Sequence, residues 1–130
     1  MTETTFYADL AWAVGLYEGE GTACLASNGK STRVAIQMQD PEPIERFYQI
    51  IRIGTINKSQ PPGRKTTYTW QVQNARDVIK VLTILIDSGY LSSRRLRQAE
   101  TILERAKQIK PNRDKDKDRA LLQRLGLITA

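Results

Sequence analysis

Two segments of the chain alternate between apolar and polar residues, which predicts two strands that each have one buried face. They span residues 31–39 and 66–73, and a shorter strand is predicted ahead of each, at residues 22–26 and 55–59. Asn28-Gly29 is typical of a hairpin turn within the first pair. The outward-facing positions of the two alternating segments are Arg33, Ala35, Gln37, Gln39, Thr67, Thr69, Gln71 and Gln73.

Helical spacing of apolar residues predicts one helix after each strand pair and a third helix after both pairs. Asp40 before Pro41 indicates an N-cap, Asn74 caps the second helix, and Ser92 or Ser93 begins the third. The apolar stripes are Ile44, Phe47, Tyr48 and Ile51, then Val78, Val81, Leu82 and Leu85, then Leu96, Ala99, Leu103 and Ala106. With an apolar helix at the start of the chain, the predicted order is α-ββα-ββα-α, in which a ββα unit repeats.

The first helix, at residues 12–21, is apolar and ends in two carboxylates, Glu18 and Glu20, set among glycines. Carboxylates at the C-terminus of a helix face the negative end of its dipole, which typically costs about 0.3–1 kcal/mol. A bound cation would offset this cost. The end of the first helix is therefore a candidate metal site.

Composition narrows the chemistry that such a site could perform. The chain has 130 residues, enough for one core, and its net charge of +6 favours an anionic partner, although a basic surface without a specific ligand is the alternative. It contains no histidine, which excludes Ser-His-Asp and Cys-His catalysis and the common zinc sites. Carboxylates without histidine favour a hard cation such as Mg²⁺.

The single cysteine, Cys24, excludes an internal disulfide and is typical of a reducing compartment. No apolar run approaches the roughly 20 residues of a membrane span. Residues 1–5 lack the basic region and apolar stretch of a signal peptide. We therefore expect an intracellular protein (cytoplasmic, organellar or nucleoid-associated) that is not secreted and has no membrane partner.

Residues 13–21 resemble the LAGLIDADG motif of homing endonucleases. The matching positions are Gly15, Leu16 and Gly21, with Glu18 and Glu20 at the two acidic positions. The αββαββα order of the LAGLIDADG fold also matches the order predicted for about residues 8–110. The resemblance implies an α+β fold with a DNA-binding antiparallel β-saddle. We assign residues 1–110 to this endonuclease domain and residues 111–130, which begin with alternating acids and bases, to a charged linker and a helical tail.

The resemblance implies a site-specific endonuclease that cleaves double-stranded DNA at a long, near-palindromic site. The last acid of the motif is a metal ligand in this family, which assigns Mg²⁺ or Mn²⁺ to Glu20 beside the backbone of Gly19. One motif per chain implies a homodimer. Two alternatives keep the fold without cleavage, a DNA-binding regulator and an RNA splicing cofactor (maturase). A third, a small protein-interaction module, predicts no salt-dependent DNA binding.

Two further catalytic candidates follow from the resemblance. Gln39 corresponds to a glutamine at the end of the second strand, and Arg95 to a basic residue that assists water or the scissile phosphate. Arg95 stands where lysine is common, and arginine stabilises phosphate charge but is a poor base; contact with the DNA backbone alone is its alternative role. Arg46 is a further candidate from the intervening helix. For Glu18, a supporting catalytic role and a solvated or capping position are both open.

Small residues recur every four positions along the first helix, at Ala11, Gly15 and Gly19. Such a stripe lets two helix backbones approach closely. Because glycine inside a helix costs up to about 1 kcal/mol relative to alanine, Gly15 needs a packing reason. We expect a dimer interface formed by this stripe and Trp12, and packing of Gly15 against the protein's own sheet is the alternative.

The polar strand faces are predicted to read bases, because arginine can pair with guanine and glutamine with adenine, and these faces carry no acid. Hairpin loops and the start of the last helix would contact phosphates. An ordinary solvated sheet face is the alternative. The candidate base contacts are Arg33, Gln37, Gln39, Asn57, Thr67, Thr69, Gln71 and Gln73, and the candidate phosphate contacts are Lys30, Lys58, Arg64, Lys65, Arg94 and Arg97.

Overall fold

The computed structural model describes residues 3–109 and 123–126, and it has the predicted order of elements. The elements are α1 (Glu3–Glu20), β1 (Gly21–Ala26), β2 (Ser31–Met38), α2 (Pro41–Ile51), β3 (Thr55–Ser59), β4 (Thr67–Val72), α3 (Ala75–Asp87) and α4 (Ser93–Gln108). Most of the predicted linker and tail lies outside the described residues. Within the tail, Leu125 is 61% exposed.

The four strands form one antiparallel sheet in the order β1-β2-β4-β3. Directly opposite residues share a face: Ala35 lies opposite Thr22 and Gln71, and Thr69 lies opposite Gln37 and Asn57. The outward face, called here the polar sheet face, consists of Thr22, Cys24, Ala26, Ser31, Arg33, Ala35, Gln37, Thr55, Asn57, Ser59, Thr67, Thr69 and Gln71. Ala35 belongs to it but is only 3% exposed.

The helices pack on the opposite face of the sheet and enclose the core. Trp70 of β4 is fully buried there; its ring meets Phe47 of α2 edge-on, with 4.6 Å between the ring centroids. The Trp70 indole Nε1 donates to the Ile53 carbonyl at 2.7 Å, so its polar atom is satisfied in the core.

The predicted N-caps are confirmed. The Asp40 carboxylate accepts from the Glu42 amide at 3.0 Å, and Asn74 both accepts from the Asp77 amide at 2.9 Å and donates to its carboxylate at 2.8 Å. The buried stripe of α2 is Ile44, Phe47 and Ile51. Tyr48, which was expected in that stripe, is 39% exposed. Its position falls at the edge of the apolar stripe, where a tyrosine can keep its hydroxyl in water.

The first hairpin has the predicted Asn28-Gly29 at the centre of its turn, which spans residues 27–30, and Ser27, Asn28 and Gly29 all have positive φ (52°, 56° and 82°). Two details of the strands differ from the prediction. Strands β2 and β4 end at Met38 and Val72, so Gln39 and Gln73 each lie one residue beyond a strand. Lys58 lies within β3 opposite Tyr68, off the polar sheet face, and not in a hairpin loop as expected.

Candidate functional site

Glu20, the last residue of α1, lies at one end of the sheet on a shallow depression of about 620 Å³. The same depression is lined by Gln37, Met38, Gln39, Asp40 and Thr67. The fold brings these residues together because Gly21, which follows Glu20, pairs with Ile36 at the end of β2. Two of the three candidate catalytic residues, Glu20 and Gln39, therefore share one surface.

The Glu20 side chain is exposed, and its carboxylate has no hydrogen bond or ion pair with any other described residue. The neighbouring Asp40 carboxylate is committed to the N-cap of α2. Glu20 also sits beside the last carbonyl oxygens of α1, which lack partners within the helix. The Glu20 carboxylate is therefore available to a ligand from solvent.

Glu18 joins the end of α1 to the beginning of α4. Its carboxylate accepts from the Ser92 amide at 3.2 Å, and its carbonyl oxygen accepts from the Arg95 Nε at 3.1 Å. Ser92 is the N-cap of α4, which was one of the two predicted starting residues of this helix. Of the two roles left open for Glu18, the structure shows the capping one. The helix that Glu18 caps is α4, and the sequence did not indicate this partner.

Arg95 is held at the C-terminal end of α1, two residues from the Glu20 backbone. Besides its bond to Glu18, its Nη1 donates to Gln98 within α4 at 3.1 Å, and the residue is partly buried. A guanidinium at this position offsets the negative end of the α1 dipole. Arg94 and Arg97 project from the first turns of α4 and are exposed.

Tyr17 lies beneath this junction and is fully buried. Burial raises the pKa of its hydroxyl to about 12, although the positive charge of Arg95 acts in the opposite direction. The hydroxyl has no hydrogen-bond partner among the described residues. A Cβ at Gly21 would collide with the Tyr17 ring, so glycine allows the chain to leave α1 across that ring. The sequence pattern did not indicate that Tyr17 lies at this junction.

The polar sheet face extends from the depression along the strands. Among its residues none is acidic, which confirms the expectation from the sequence. Two cross-strand bonds order it: the Arg33 Nε donates to the Gln71 Oε1 at 2.9 Å, and the Gln37 Nε2 donates to the Thr67 hydroxyl at 3.3 Å. Six candidate base contacts lie on this face, namely Arg33, Gln37, Asn57, Thr67, Thr69 and Gln71. Gln39 lies at the Glu20 end, and Gln73 follows the opposite end of β4.

The two hairpins lie at opposite ends of the polar sheet face. The β3–β4 loop precedes Thr67 at the Glu20 end and carries the exposed Arg64 and Lys65. The β1–β2 hairpin, with the exposed Lys30, lies at the far end. There the Arg105 Nη2 of α4 donates to the Gly29 carbonyl at 2.9 Å. No local sequence signal marks this contact, because the two residues are 76 positions apart.

The outward side of α1 is open. Ala13, Val14 and Tyr17 face the core, whereas Gly15 and Gly19 are exposed. A Cβ built on either glycine would meet no atom of the described residues within 4 Å, so the alternative in which Gly15 packs against the protein's own sheet is wrong.

Trp12 is partly covered by its own chain. The Arg46 guanidinium carbon lies 4.0 Å above the centre of the Trp12 ring, and Arg46 also forms an ion pair with Asp9 at 3.9 Å. Arg46 therefore links α2 to the middle of α1 and does not line the Glu20 depression. Within the part of the chain that the structure describes, no helix is long and apolar enough to cross a membrane.

Comparison with known proteins identifies the fold. No protein-family model matches the sequence, and no curated protein matches it. The structure is similar to the homing endonuclease I-CvuI in complex with the I-CreI target (TM-score 0.66, 16% identity, covering 82% of this chain and 71% of that chain). It is also similar to the archaeal intron-encoded homing endonuclease I-Vdi141I complexed with DNA (TM-score 0.65, 19% identity, covering 77% and 67%).

A third similar structure is the group I intron-encoded homing endonuclease I-CeuI complexed with DNA (TM-score 0.64, 13% identity). The match covers 88% of this chain and 60% of that chain. At these identities the comparisons establish the fold and not the activity. The protein has the α+β fold of the LAGLIDADG homing endonucleases, with a four-stranded antiparallel sheet and helices on one of its faces.

Proposed function

We propose that this protein is a site-specific endonuclease that cleaves double-stranded DNA as a homodimer with a divalent metal ion. The observation that carries the proposal is the unpartnered Glu20 carboxylate at the end of an acid-free polar sheet face. This arrangement occurs in a fold whose similar structures are homing endonucleases in DNA complexes.

The DNA-binding part of the proposal rests on charge and side-chain type. The net charge of +6 favours association with a polyanion. The polar sheet face carries amide, hydroxyl and guanidinium groups, which can donate to and accept from base edges in the major groove. The exposed Arg64, Lys65 and Lys30 at its two ends are suited to phosphate contacts that set the register on the duplex.

The donors present at the end of α1 fit a hard divalent cation. They are the Glu20 carboxylate and helix-terminal carbonyl oxygens such as that of Gly19, and oxygen ligands suit Mg²⁺ or Mn²⁺. Among the described residues of one protomer, no group of three or more acids, cysteines or histidines could hold a metal ion. A second Glu20 from a partner copy would supply the missing carboxylate. A metal ion bound there would supply Lewis-acid catalysis of phosphodiester hydrolysis.

The homodimer is supported by the open side of α1. Gly15 and Gly19 leave a flat, exposed strip on which a second helix can approach closely. An isologous contact of two α1 helices would bring both Glu20 residues to the same end of the interface.

The remaining side chains would position the substrate. Gln39, on the same depression as Glu20, can donate to a phosphate oxygen or orient a water molecule. Arg95 holds positive charge beside the end of α1 and remains protonated, so it can stabilise phosphate charge but cannot act as a base.

A cleavage assay tests the proposal. The protein is incubated with a library of randomised duplexes in Mg²⁺ or in chelator, and the cut products are sequenced. We expect Mg²⁺-dependent cleavage at one near-palindromic sequence, and Glu20→Gln should abolish it while binding is largely kept, because the variant removes a ligand charge but no base contact. Glu45→Gln, an exposed acid on α2, is the matched control and should cleave at the parent rate. Equal cleavage by Glu20→Gln and the parent would refute the assignment.

A second candidate keeps DNA binding and omits cleavage. The observation that favours it concerns Arg95, which stands where a lysine is common and is a poor base. The Arg95 Nε and Nη1 are also already bonded to Glu18 and Gln98, so fewer of its donors are left for the scissile phosphate. A protein of this kind would select the same kind of sequence but leave it intact in Mg²⁺. Selection of bound duplexes alongside cut duplexes separates the two candidates.

A further inference from the structure

The Arg33 side chain is fixed in place on the polar sheet face. Arg33 lies on β2 and Gln71 lies on the neighbouring strand β4. The residue directly opposite Gln71 is Ala35, so Arg33, two residues before Ala35 on the same face, is the diagonal neighbour of Gln71. The Arg33 Nε donates to the Gln71 Oε1 at 2.9 Å, and this bond is partly buried. The small side chain of Ala35 leaves room for the guanidinium to reach across the ladder.

We infer that Arg33, held by Gln71, selects a guanine at one equivalent position in each half of the target DNA. The inference rests on the proposed function, in which the polar sheet face lies in the major groove of DNA. It assigns different roles to two residues that the sequence pattern treats alike: Arg33 is the specificity-determining residue, and Gln71 is a positioning residue.

The free donors of Arg33 match guanine. With Nε bonded to Gln71, the Nη1 and Nη2 groups are left, and neither has a hydrogen-bond partner among the described residues. Guanine presents two adjacent acceptors, O6 and N7, in the major groove, whereas adenine presents one acceptor and one donor. Two parallel N–H donors therefore pair with guanine and meet a repulsive donor at adenine.

Gln71 is poorly placed to read a base itself. Bidentate recognition of adenine needs both the amide oxygen and the amide nitrogen of a glutamine. The Gln71 oxygen already accepts from Arg33. Gln71 instead holds the Arg33 side chain in one conformation before DNA binds. This reduces the side-chain entropy that the arginine would otherwise lose on binding.

The register of the sheet places this guanine relative to the cleavage centre. Gln37 lines the Glu20 depression, and Arg33 lies four residues further along β2. A strand rises about 3.4 Å per residue, so the separation is about 14 Å. Base pairs stack at about 3.4 Å. The guanine should therefore lie about four base pairs outward from the pair that faces Gln37, at symmetric positions in the two half-sites.

The test is equilibrium binding, without divalent cation, of the selected duplex and of duplexes that carry each other base at every position. The parent protein should prefer guanine at one symmetric position by about tenfold or more, as expected for a bidentate contact. Arg33→Ala should abolish the preference at that position alone. Gln71→Met, which keeps the side-chain length but removes the acceptor, should weaken the same preference several-fold.

The double variant distinguishes a positioning role from a separate base contact. In the Arg33→Ala background, Gln71→Met should have no further effect on base preference, because there is no arginine left to hold. Gln49→Met, the same substitution at an exposed position of α2 away from the polar sheet face, is the matched control and should leave the guanine preference unchanged. Thermal unfolding of each variant checks that it is folded.

Two outcomes would overturn the inference, and they differ from a failure of the proposed function. The first is a Gln71→Met variant that loses an adenine preference at another base pair and keeps the Arg33-dependent guanine preference. The second is an Arg33→Ala variant whose binding to all sequences is weakened equally, as on loss of a phosphate contact. If the parent binds no duplex in a salt-dependent manner, the proposed function itself fails and the inference fails with it.

Discussion

Tyr17 is a residue whose ionisation is governed by its position in the core rather than by its neighbours in sequence. Its side chain is fully buried, its hydroxyl lacks a partner among the described residues, and desolvation raises its pKa from 10.0 to about 12. A buried hydroxyl without a hydrogen bond is destabilising. The residue therefore contributes its ring to the packing beneath Gly21, while its hydroxyl contributes little or is unfavourable.

Stability should fall in alkaline solution because of Tyr17. The unfolded chain releases the tyrosine proton from about pH 10 and the folded protein only near pH 12, so the unfolded state binds fewer protons between these values. The free energy of unfolding linked to Tyr17 ionisation is therefore fully present below pH 10. It is lost as the pH rises towards 12, which lowers the free energy of unfolding by about 2–3 kcal/mol. Urea unfolding of the parent and of Tyr17→Phe, at pH values from 7 to 12, measures the difference.

Tyr17→Phe should lack this part of the alkaline loss and should be as stable as the parent at pH 7, or more stable by up to about 1 kcal/mol. Tyr90→Phe, an exposed tyrosine, is the matched control and should behave like the parent. A large loss of stability for Tyr17→Phe at pH 7 would mean that the hydroxyl has a hydrogen-bond partner.

At the level of elements, the junction of α1 and α4 determines where the candidate catalytic groups lie. Glu18 satisfies the amide of Ser92 at the beginning of α4, and Arg95 satisfies a carbonyl at the end of α1. Each helix end thus provides the partner that the other lacks. The far end of α4 is held in the same way, by Arg105 and the Gly29 carbonyl in the β1–β2 hairpin.

Loss of the Glu18 side chain should loosen this junction. Glu18→Ala should lower stability by about 1 kcal/mol, since it leaves an amide of α4 without its charged acceptor. It should also reduce the cleavage rate more than DNA affinity, because the beginning of α4, which carries Arg95, would lose one of its two hydrogen bonds to α1 and keep only the bond from Arg95 to the Glu18 carbonyl. Glu18→Gln keeps a side-chain acceptor and should recover most of the stability and of the cleavage rate. Unchanged cleavage by Glu18→Ala would show that Arg95 does not depend on the bond between Glu18 and Ser92. Denaturant titration and single-turnover cleavage measure the two effects.

At the level of the whole molecule, the described residues leave one carboxylate free at the candidate site and one side of α1 uncovered. The Glu20 depression contains a single carboxylate that is not committed to a hydrogen bond or ion pair within the described chain. The exposed Gly15 and Gly19 lie on the side of α1 that faces away from the core. A two-fold contact through α1 would account for both features at once.

Gly15→Leu tests this contact. The side chain has open space in the isolated protomer, so the variant should fold with equal or greater stability, since leucine is a better helix former than glycine by up to about 1 kcal/mol. Between two closely packed helices the added side chain would not fit. Sedimentation equilibrium should therefore give a dimer for the parent and a monomer for the variant.

Cleavage should be lost together with dimerisation. Thr83→Leu, at an exposed position of α3, adds a leucine elsewhere on the surface and should leave the dimer intact. A parent protein that stays monomeric when saturated with its selected duplex would contradict the dimer, as would a fully dimeric Gly15→Leu.

Much of the architecture could be predicted from local pattern. The caps at Asp40 and Asn74 form as expected because the side chain and the amide that it accepts from are only two or three residues apart. Tyr48 was assigned wrongly because it lies at the edge of a helical stripe. Lys58 was assigned to a loop although it lies inside the predicted strand, and the alternation of strand faces places it opposite Tyr68. The pairing of Arg33 with Gln71 could not be predicted, since it depends on which strand lies beside β2.

The sequence by itself determined the order of the elements, the acid-free outer face of the strands and the acidic end of the first helix. These features follow from periodicity, capping chemistry and the positions of glycine, all of which act over a few residues. Only the tertiary structure decided that Glu20 and Gln39 share one depression, that Glu18 caps α4, and that Gly15 faces open space. Those relations depend on strand order and helix packing, which bring together residues far apart in the chain, and no local preference encodes such distances.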